Sequence, residues 1–436
     1  MTTEGNSKFK SAQWKFIFCS MIAYAFFYLT RKNLSMAQPS MLEENAISTY
    51  ALGTIMTVHG VLYGVSRFVN GFWADRLNGR IFMTIGLALS AAMNLFFGCT
   101  SLAVLFGVFW VVNAWTQGMG FPPCAKMLTH WIHPKELATK MSIWNTSHSF
   151  GAVMALGLCS LLFALGFGWR WCFYVPAALA GLAAVFCFFC VKDSPTEAGV
   201  PELELDEAGA RRPGYEGGED VCGASRPAPV VTTKDRLRLV YGNPVIWAIA
   251  IANFFVYIVR FGFRDWGPTF LKQFKGISVA KGGLMIIAFE LAAVVGTVFA
   301  GWITDKVFKG RGVRTCVFCM LFAALFSFGF WYLPNGAPIW QATLLLMGAG
   351  FCIYGPQALI GIVAANQATK EAAAMANGFT GIMGYASTTV SGIGIAFIKE
   401  HYGWGVTLGA IAAFALVGMV LFLLAWNAQA TGYKKK

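Results

Sequence analysis

Stretches of about twenty consecutive apolar residues recur along the whole of this 436-residue chain, Ile81–Thr100, Tyr174–Val191 and Gly409–Trp426 among them. A helix of that length crosses a hydrocarbon core of about 30 Å. In lipid each segment has to satisfy its own backbone groups, so repeated spans of this kind specify a helical bundle. Apolar residues make up 57% of the chain and charged residues 12%, against about 25% charged in soluble domains. The chain is expected to be an all-α membrane protein.

Twelve spans are expected, near residues 16–38, 51–74, 81–99, 102–123, 140–164, 171–191, 244–265, 282–304, 315–334, 339–361, 374–397 and 405–427. The only long hydrophilic stretch is Asp193–Asp235. It is rich in Pro, Gly and acid, as in Glu202-Leu-Glu-Leu-Asp-Glu207, and reads as a flexible linker. The expected plan is an N-terminal six-helix bundle (1–192), a cytoplasmic linker (193–243) and a C-terminal six-helix bundle (244–436). Most of the net charge of +13 is a topology signal. Lys8, Lys10, Lys15, Arg76, Arg80, Lys126, Lys135, Lys140, Lys306, Lys309, Arg311, Arg314 and Lys434–Lys436 fall in alternate loops and tails, which puts both termini and the linker in the cytoplasm. Without a soluble basic domain, nucleic-acid binding is excluded as a function.

The halves repeat. Tyr28-Leu-Thr-Arg31 matches Tyr257-Ile-Val-Arg260, and Gly71-Phe-Trp-Ala-Asp75-Arg76 matches Gly301-Trp-Ile-Thr-Asp305-Lys306. Gly118-Met-Gly-Phe-Pro-Pro123 matches Gly350-Phe-Cys-Ile-Tyr-Gly-Pro356, and Pro134-Lys-Glu136 matches Thr369-Lys-Glu371. Matches in the same order argue duplication, and the two G-x-x-x-D-[RK] loops resemble the signature of the major facilitator superfamily. Asp75, Arg76, Asp305 and Lys306 are expected to act in gating, the Asp pairing with basic residues or capping a helix N-terminus.

The charges inside the spans point to a ligand. The linker Asp193–Asp235 holds half of the acidic residues, and of the rest only Glu290 lies well within a span. The spans also hold Arg31, Lys32, Arg67 and Arg260, with His59 and His148. Intramembrane charge is expensive and is found paired or facing a cavity. These cations outnumber the available carboxylate, so an anion from water is the expected neutralising group. Arginine's planar fork binds phosphate or carboxylate through two parallel bonds and stays charged when desolvated. Arg31 and Arg260 occupy equivalent repeat positions and would face each other across an inter-domain cavity. Either one alone also reads as a snorkelling helix-end arginine. His148 and Tyr28, Tyr63, Tyr257, Tyr354 and Tyr385 are candidate donors, though each alone also reads as a packing residue.

Other chemistry is weak. Cys187/Cys190 and Cys316/Cys319 have C-x-x-C spacing but sit in apolar runs, and His130-x-x-His133 lacks further ligands. No nucleotide-binding loop, zinc-hydrolase helix or nucleophile elbow is present. No enzyme activity, cofactor or metal is expected.

Together these residues resemble the organophosphate:phosphate antiporters of the major facilitator superfamily. The resemblance rests on Tyr28-Leu-Thr-Arg-Lys-Asn33, Tyr63-Gly-Val-Ser-Arg-Phe68, Gln117-Gly-Met-Gly-Phe-Pro-Pro-Cys124, Trp144-Asn-Thr-Ser-His148, Val256-Tyr-Ile-Val-Arg260, Asp265-Trp266, Tyr354-Gly-Pro356 and Gly378-Phe-Thr-Gly381. It implies that Arg31 and Arg260 bind phosphate, that His148 assists, and that Tyr28, Tyr354 and Tyr385 line the cavity. Arg67 stands where relatives often carry Lys, and Thr389 and Ile393 stand where hexose-phosphate transporters have an Asp and a Lys. The expected function is exchange of a small organic phosphate, such as glycerol-3-phosphate or a hexose-6-phosphate, for inorganic phosphate by a monomer in a bacterial inner membrane. The alternative is a sugar-phosphate sensor on the same fold that signals to a partner kinase.

Overall fold

The computed structural model describes residues 3–74, 76–132, 140–141, 143–201, 233–334, 336–368 and 372–428, and every regular element among them is helical. The spans follow the expected order: Lys8–Glu43, Thr49–Ala74, Gly79–Cys99, Ala103–Trp131, Ile143–Ala164 and Trp171–Cys190, then Pro244–Asp265, Val279–Lys306, Gly312–Tyr332 and Ile339–Ala364. A last helical run, Met375–Leu424, holds the eleventh and twelfth spans. Gly403 separates them with φ 76° and ψ 175°, a conformation that a side chain would strain. Thr49–Ala74 is less apolar than the others because His59, Arg67 and Asn70 lie within it, yet its 26 residues rise about 39 Å. Asn residues set two starts. Asn78 Oδ1 accepts from Ile81 N at 3.1 Å, and Asn243 Oδ1 accepts from Val245 N at 2.9 Å just before Pro244.

The chain divides into two compact units. One comprises Met1–Asn33, Leu62–Ala155 and Arg170–Val230, the other Leu34–Val61, Leu156–Trp169 and Val231–Lys436. The ends of spans 1, 2 and 5 nearest loops 44–48 and 165–168 therefore group with the C-terminal spans.

Inside the first unit a buried polar network ties spans 1, 3, 4 and 6. The Thr30 carbonyl accepts from Asn94 Nδ2 and Asn113 Nδ2, both at 3.0 Å. Gln117 Nε2 donates to Ser90 Oγ at 2.9 Å and Thr30 Oγ1 at 3.1 Å, and Ser90 Oγ donates to Asn113 Oδ1 at 2.6 Å. Asn33 Nδ2 donates to Asn94 Oδ1 and to the Cys172 carbonyl, each at 2.8 Å. Lipid gives helices no hydrophobic reason to associate, so such bonds and close packing hold them together.

In the second unit, spans 2 and 11 meet through backbone. A Cβ on Gly53 would lie 2.5 Å from the Ala396 Cβ and 2.8 Å from the Gly392 carbonyl oxygen. Thr57 Oγ1 donates to the Thr388 carbonyl at 3.2 Å and accepts from Ile393 N at 2.9 Å. That foreign acceptor takes an amide that would otherwise bond within its own helix. The span widens there into a π-turn, Val390–Gly394. Lys399 Nζ to Thr49 Oγ1 (2.8 Å), Thr269 Oγ1 to Gln38 Oε1 (3.2 Å) and the Lys272–Glu43 ion pair (3.4 Å) extend this seam.

Candidate functional site

In the first unit Arg31 follows Thr30, whose carbonyl the polar network grips, so the backbone that carries its guanidinium is fixed. The Arg31 Cζ lies 3.9 Å from the Tyr63 ring centroid and 5.6 Å from that of Tyr28. Arg31 is part-buried, and a guanidinium over a tyrosine face in that setting is favourable by roughly 1 kcal/mol. Arg67, one turn after Tyr63, stacks over Phe121 at 4.0 Å. The close approach of spans 2 and 4 depends on Gly118, since a Cβ there would collide with Ser66 Oγ and sit 2.9 Å from Arg67 N.

Tyr28 meets His148 edge-on at 5.9 Å. The Asn145 carbonyl is an acceptor, so the His148 Nδ1 beside it carries the proton, and Ser149 Oγ lies 3.4 Å from Nε2. For Nε2 also to donate to an anion, the ring has to be the imidazolium. Trp144, with Nε1 donating to Ser20 Oγ at 3.1 Å and its ring 4.8 Å from Tyr24, anchors that segment to span 1. Lys32, one residue beyond Arg31 and thus turned about 100° around the helix, is buried, as is His59.

The second unit gathers the matching set. Arg260 is 8% exposed, and its Nε has no hydrogen-bond partner. Its Cζ lies 4.6 Å from the Tyr354 centroid and 5.6 Å from that of Tyr257, and Tyr257 meets Tyr385 at 6.2 Å. Tyr354 OH donates to Glu290 Oε2 at 2.8 Å, while Glu290 Oε1 is buried with no partner. One turn on from Arg260, Arg264 Nε pairs with Asp265 Oδ1 at 3.0 Å. Glu290 was not among the residues expected at the site. Its signal in the sequence was that it is the only carboxylate deep in a span.

Beside Tyr257 a cavity of about 470 Å³ opens between spans 7, 10 and 11, lined by Asn253, Gln357, Asn377, Thr380 and Gly381 among others. Its polar residues carried no role in the sequence reading.

Three of the four residues expected to act in gating lie among the described residues. Arg76 stacks on Phe72 at 3.5 Å and donates to its carbonyl at 3.2 Å. Asp305 and Lys306 are exposed at the end of span 8. Asp75 lies outside the described residues. At the start of span 3, Asp193 Oδ1 accepts from Gly79 N at 2.7 Å, and Glu197 pairs with Arg80 at 2.7 Å. Lys126 Nζ donates to the Ala74 and Leu77 carbonyls at 3.1 and 2.9 Å.

The helical architecture agrees with that of known proteins. The family model "Major Facilitator Superfamily" matches residues 20–392. A "Probable hexose phosphate transport protein" of Chlamydia pneumoniae is 35% identical over 435 residues, covering 98% of this chain and 95% of its own. The "Glycerol-3-phosphate transporter" of Bacillus subtilis is 34% identical, covering 93% and 90%. The "Membrane sensor protein UhpC" of Escherichia coli is 33% identical, covering 94% and 91%. Among solved structures, a bacterial homologue of the human lysosomal transporter Spinster superposes with a TM-score of 0.79 at 14% identity, covering 95% of this chain and 97% of that one. That likeness speaks to the fold alone. The chain is a multi-pass integral membrane protein and belongs to the Major Facilitator Superfamily, in the family that holds these sugar-phosphate and glycerol-3-phosphate transport proteins and their sensor relative.

Proposed function

We propose that the chain is a secondary transporter that exchanges a small organic phosphate, a sugar phosphate such as glycerol-3-phosphate or a hexose-6-phosphate, for inorganic phosphate by alternating access. Arg31 and Arg260 are the phosphate ligands in this reading, with Arg67, Lys32, His148 and the tyrosines around them completing the binding set. The observation that carries it is Arg260, a buried guanidinium whose Nε–H has no partner. A buried charge of this kind is costly unless something pairs with it, and a tetrahedral oxyanion supplies the acceptors. Two bundles of six spans each, with termini and linker in the cytoplasm of a bacterial inner membrane and a monomeric carrier, complete the proposal.

Reorienting an empty site moves unneutralised guanidinium charge through poorly solvated protein, whereas a bound dianion removes that penalty. Efflux of labelled phosphate from sealed proteoliposomes is therefore expected to need phosphate or organic phosphate on the opposite side. Fast efflux into buffer free of such anions would rule out the exchange reading.

The similarity to UhpC favours a second reading, a receptor that binds sugar phosphate and signals to a kinase. The same liposomes separate the two: a receptor binds the labelled ligand with little passage across the membrane.

A further inference from the structure

Spans 8 and 9 both pack on span 10 and touch each other little. Between them lies an apolar groove of about 740 Å³ with span 10 as its floor. Span 10 approaches closely because residue 296 is glycine, where a Cβ would collide with the Phe351 carbonyl oxygen. Phe299, Phe318, Phe322 and Leu344 in the lining are 40–55% exposed, so the groove opens to lipid. Its lining holds no charged side chain. Its one hydroxyl, that of Thr315, is already bonded to Thr304 Oγ1 at 2.7 Å. Such a groove suits a hydrocarbon chain and not a polar solute. On span 8 the lining runs from Ala292 to Val307, a rise of about 22 Å. One leaflet's share of the hydrocarbon core is about 15 Å.

The groove ends at a basic loop. Val307 and Phe308 in its lining stand between Lys306 and Lys309, and Thr315 follows Arg314. Residues 305–314 carry Lys306, Lys309, Arg311 and Arg314 against a single carboxylate, Asp305. Among the described residues none of these four cations forms an ion pair. The loop is closed onto span 8: Phe308 N donates to the Ile303 carbonyl at 3.1 Å and Gly310 N to the Thr304 carbonyl at 2.8 Å, with Lys309 at φ 50° and Gly310 at φ 80°. Trp302, one turn before Lys306, is 54% exposed, and Arg314 lies over the Trp426 ring at 4.9 Å. Tryptophan collects at the headgroup level of a bilayer, so this end of the groove belongs there.

We propose that the groove and its loop form a site for an anionic phospholipid, with one acyl chain in the groove and the headgroup phosphate on Lys309 and Arg311. A neutral lipid fills the same groove without the charge pairing. Selectivity therefore comes from the loop, because each basic residue near a bilayer surface adds to the preference for anionic lipid.

The test is native mass spectrometry of the purified full chain, delipidated in detergent and titrated with phosphatidylglycerol or phosphatidylcholine of identical acyl chains. The wild type is expected to retain phosphatidylglycerol about fivefold or more over phosphatidylcholine. Lys309→Asn with Arg311→Gln, in which Asn suits the left-handed backbone of residue 309, is expected to bring that preference to about twofold or less. Ala292→Trp fills the inner end of the groove and is expected to lower phosphatidylglycerol retention about threefold or more. Glycerophosphoglycerol, the headgroup without its chains, is expected not to displace the lipid. Equal retention of the two lipids by the wild type overturns the inference, and so does an undiminished preference in the double variant. Displacement by the chain-free headgroup would leave an anion site with no role for the groove and also overturns it. A dimer in lipid-free detergent that Ala292→Trp dissociates would give the groove to a second copy of the chain, again against the proposal.

Discussion

The Tyr354 hydroxyl donates to Glu290 Oε2 at 2.8 Å, while the face of the same ring lies 4.6 Å from the Arg260 guanidinium. One side chain thus touches a buried carboxylate of the second unit and a buried guanidinium whose Nε–H has no partner. Glu290 Oε1 has no partner, so this hydroxyl supplies the hydrogen bond the carboxylate has in the described structure. Tyr354→Phe is expected to destabilise the protein by about 1–3 kcal/mol, the cost of stranding a buried acceptor. In a double-mutant cycle with Glu290→Gln the two losses should fall short of additive by on the order of 1 kcal/mol. Strict additivity of the unfolding free energies would show that the pair is not coupled.

Arg31→Lys and Arg260→Lys keep the charge and lose the planar fork. Each is expected to weaken phosphate binding by about 2 kcal/mol, roughly thirtyfold. Calorimetric titration with inorganic phosphate measures this, and wild-type affinity in either variant would contradict the assignment.

Asn113 acts on Arg31 through the backbone. Its Nδ2 holds the Thr30 carbonyl at 3.0 Å, and its Oδ1 accepts from Ser90 at 2.6 Å. Asn113→Leu is expected to cost about 1–3 kcal/mol in stability and to weaken phosphate binding as the helix carrying Arg31 loosens. Asn113→Asp keeps the acceptor for Ser90 but removes the N–H that holds the Thr30 carbonyl and buries a carboxylate beside it, so it should weaken phosphate binding as well. A phosphate affinity indifferent to Asn113→Leu would separate the network from the site.

The seam between spans 2 and 11 has no space to give. A Cβ on Gly392 would lie 2.7 Å from the Gly53 carbonyl oxygen and 2.9 Å from Thr57 N. Gly392→Leu is expected to force the spans apart and abolish transport while the protein still folds and binds phosphate. Thr57→Val, which leaves Ile393 N and the Thr388 carbonyl without their side-chain partner, should slow transport less severely. Transport at wild-type rate in Gly392→Leu would mean that the seam does not have to close during the cycle.

Much of this molecule follows from local pattern. Apolar run length defines the spans because a helix in lipid answers to its own residues. The three-residue spacing from tyrosine to arginine puts both on one helix face, and the structure finds Arg31 over Tyr28 and Arg260 over Tyr257. What only tertiary structure decided is which polar residue meets which. Asn253, Gln357, Asn113 and Thr57 look alike in sequence, as isolated polar positions in apolar helices. Their partners lie 127 residues away for Asn253 and 331 for Thr57. Helix packing selects such partners through small residues and shape at sites such as Gly53, Gly118 and Gly392, and no period along a single helix records that choice.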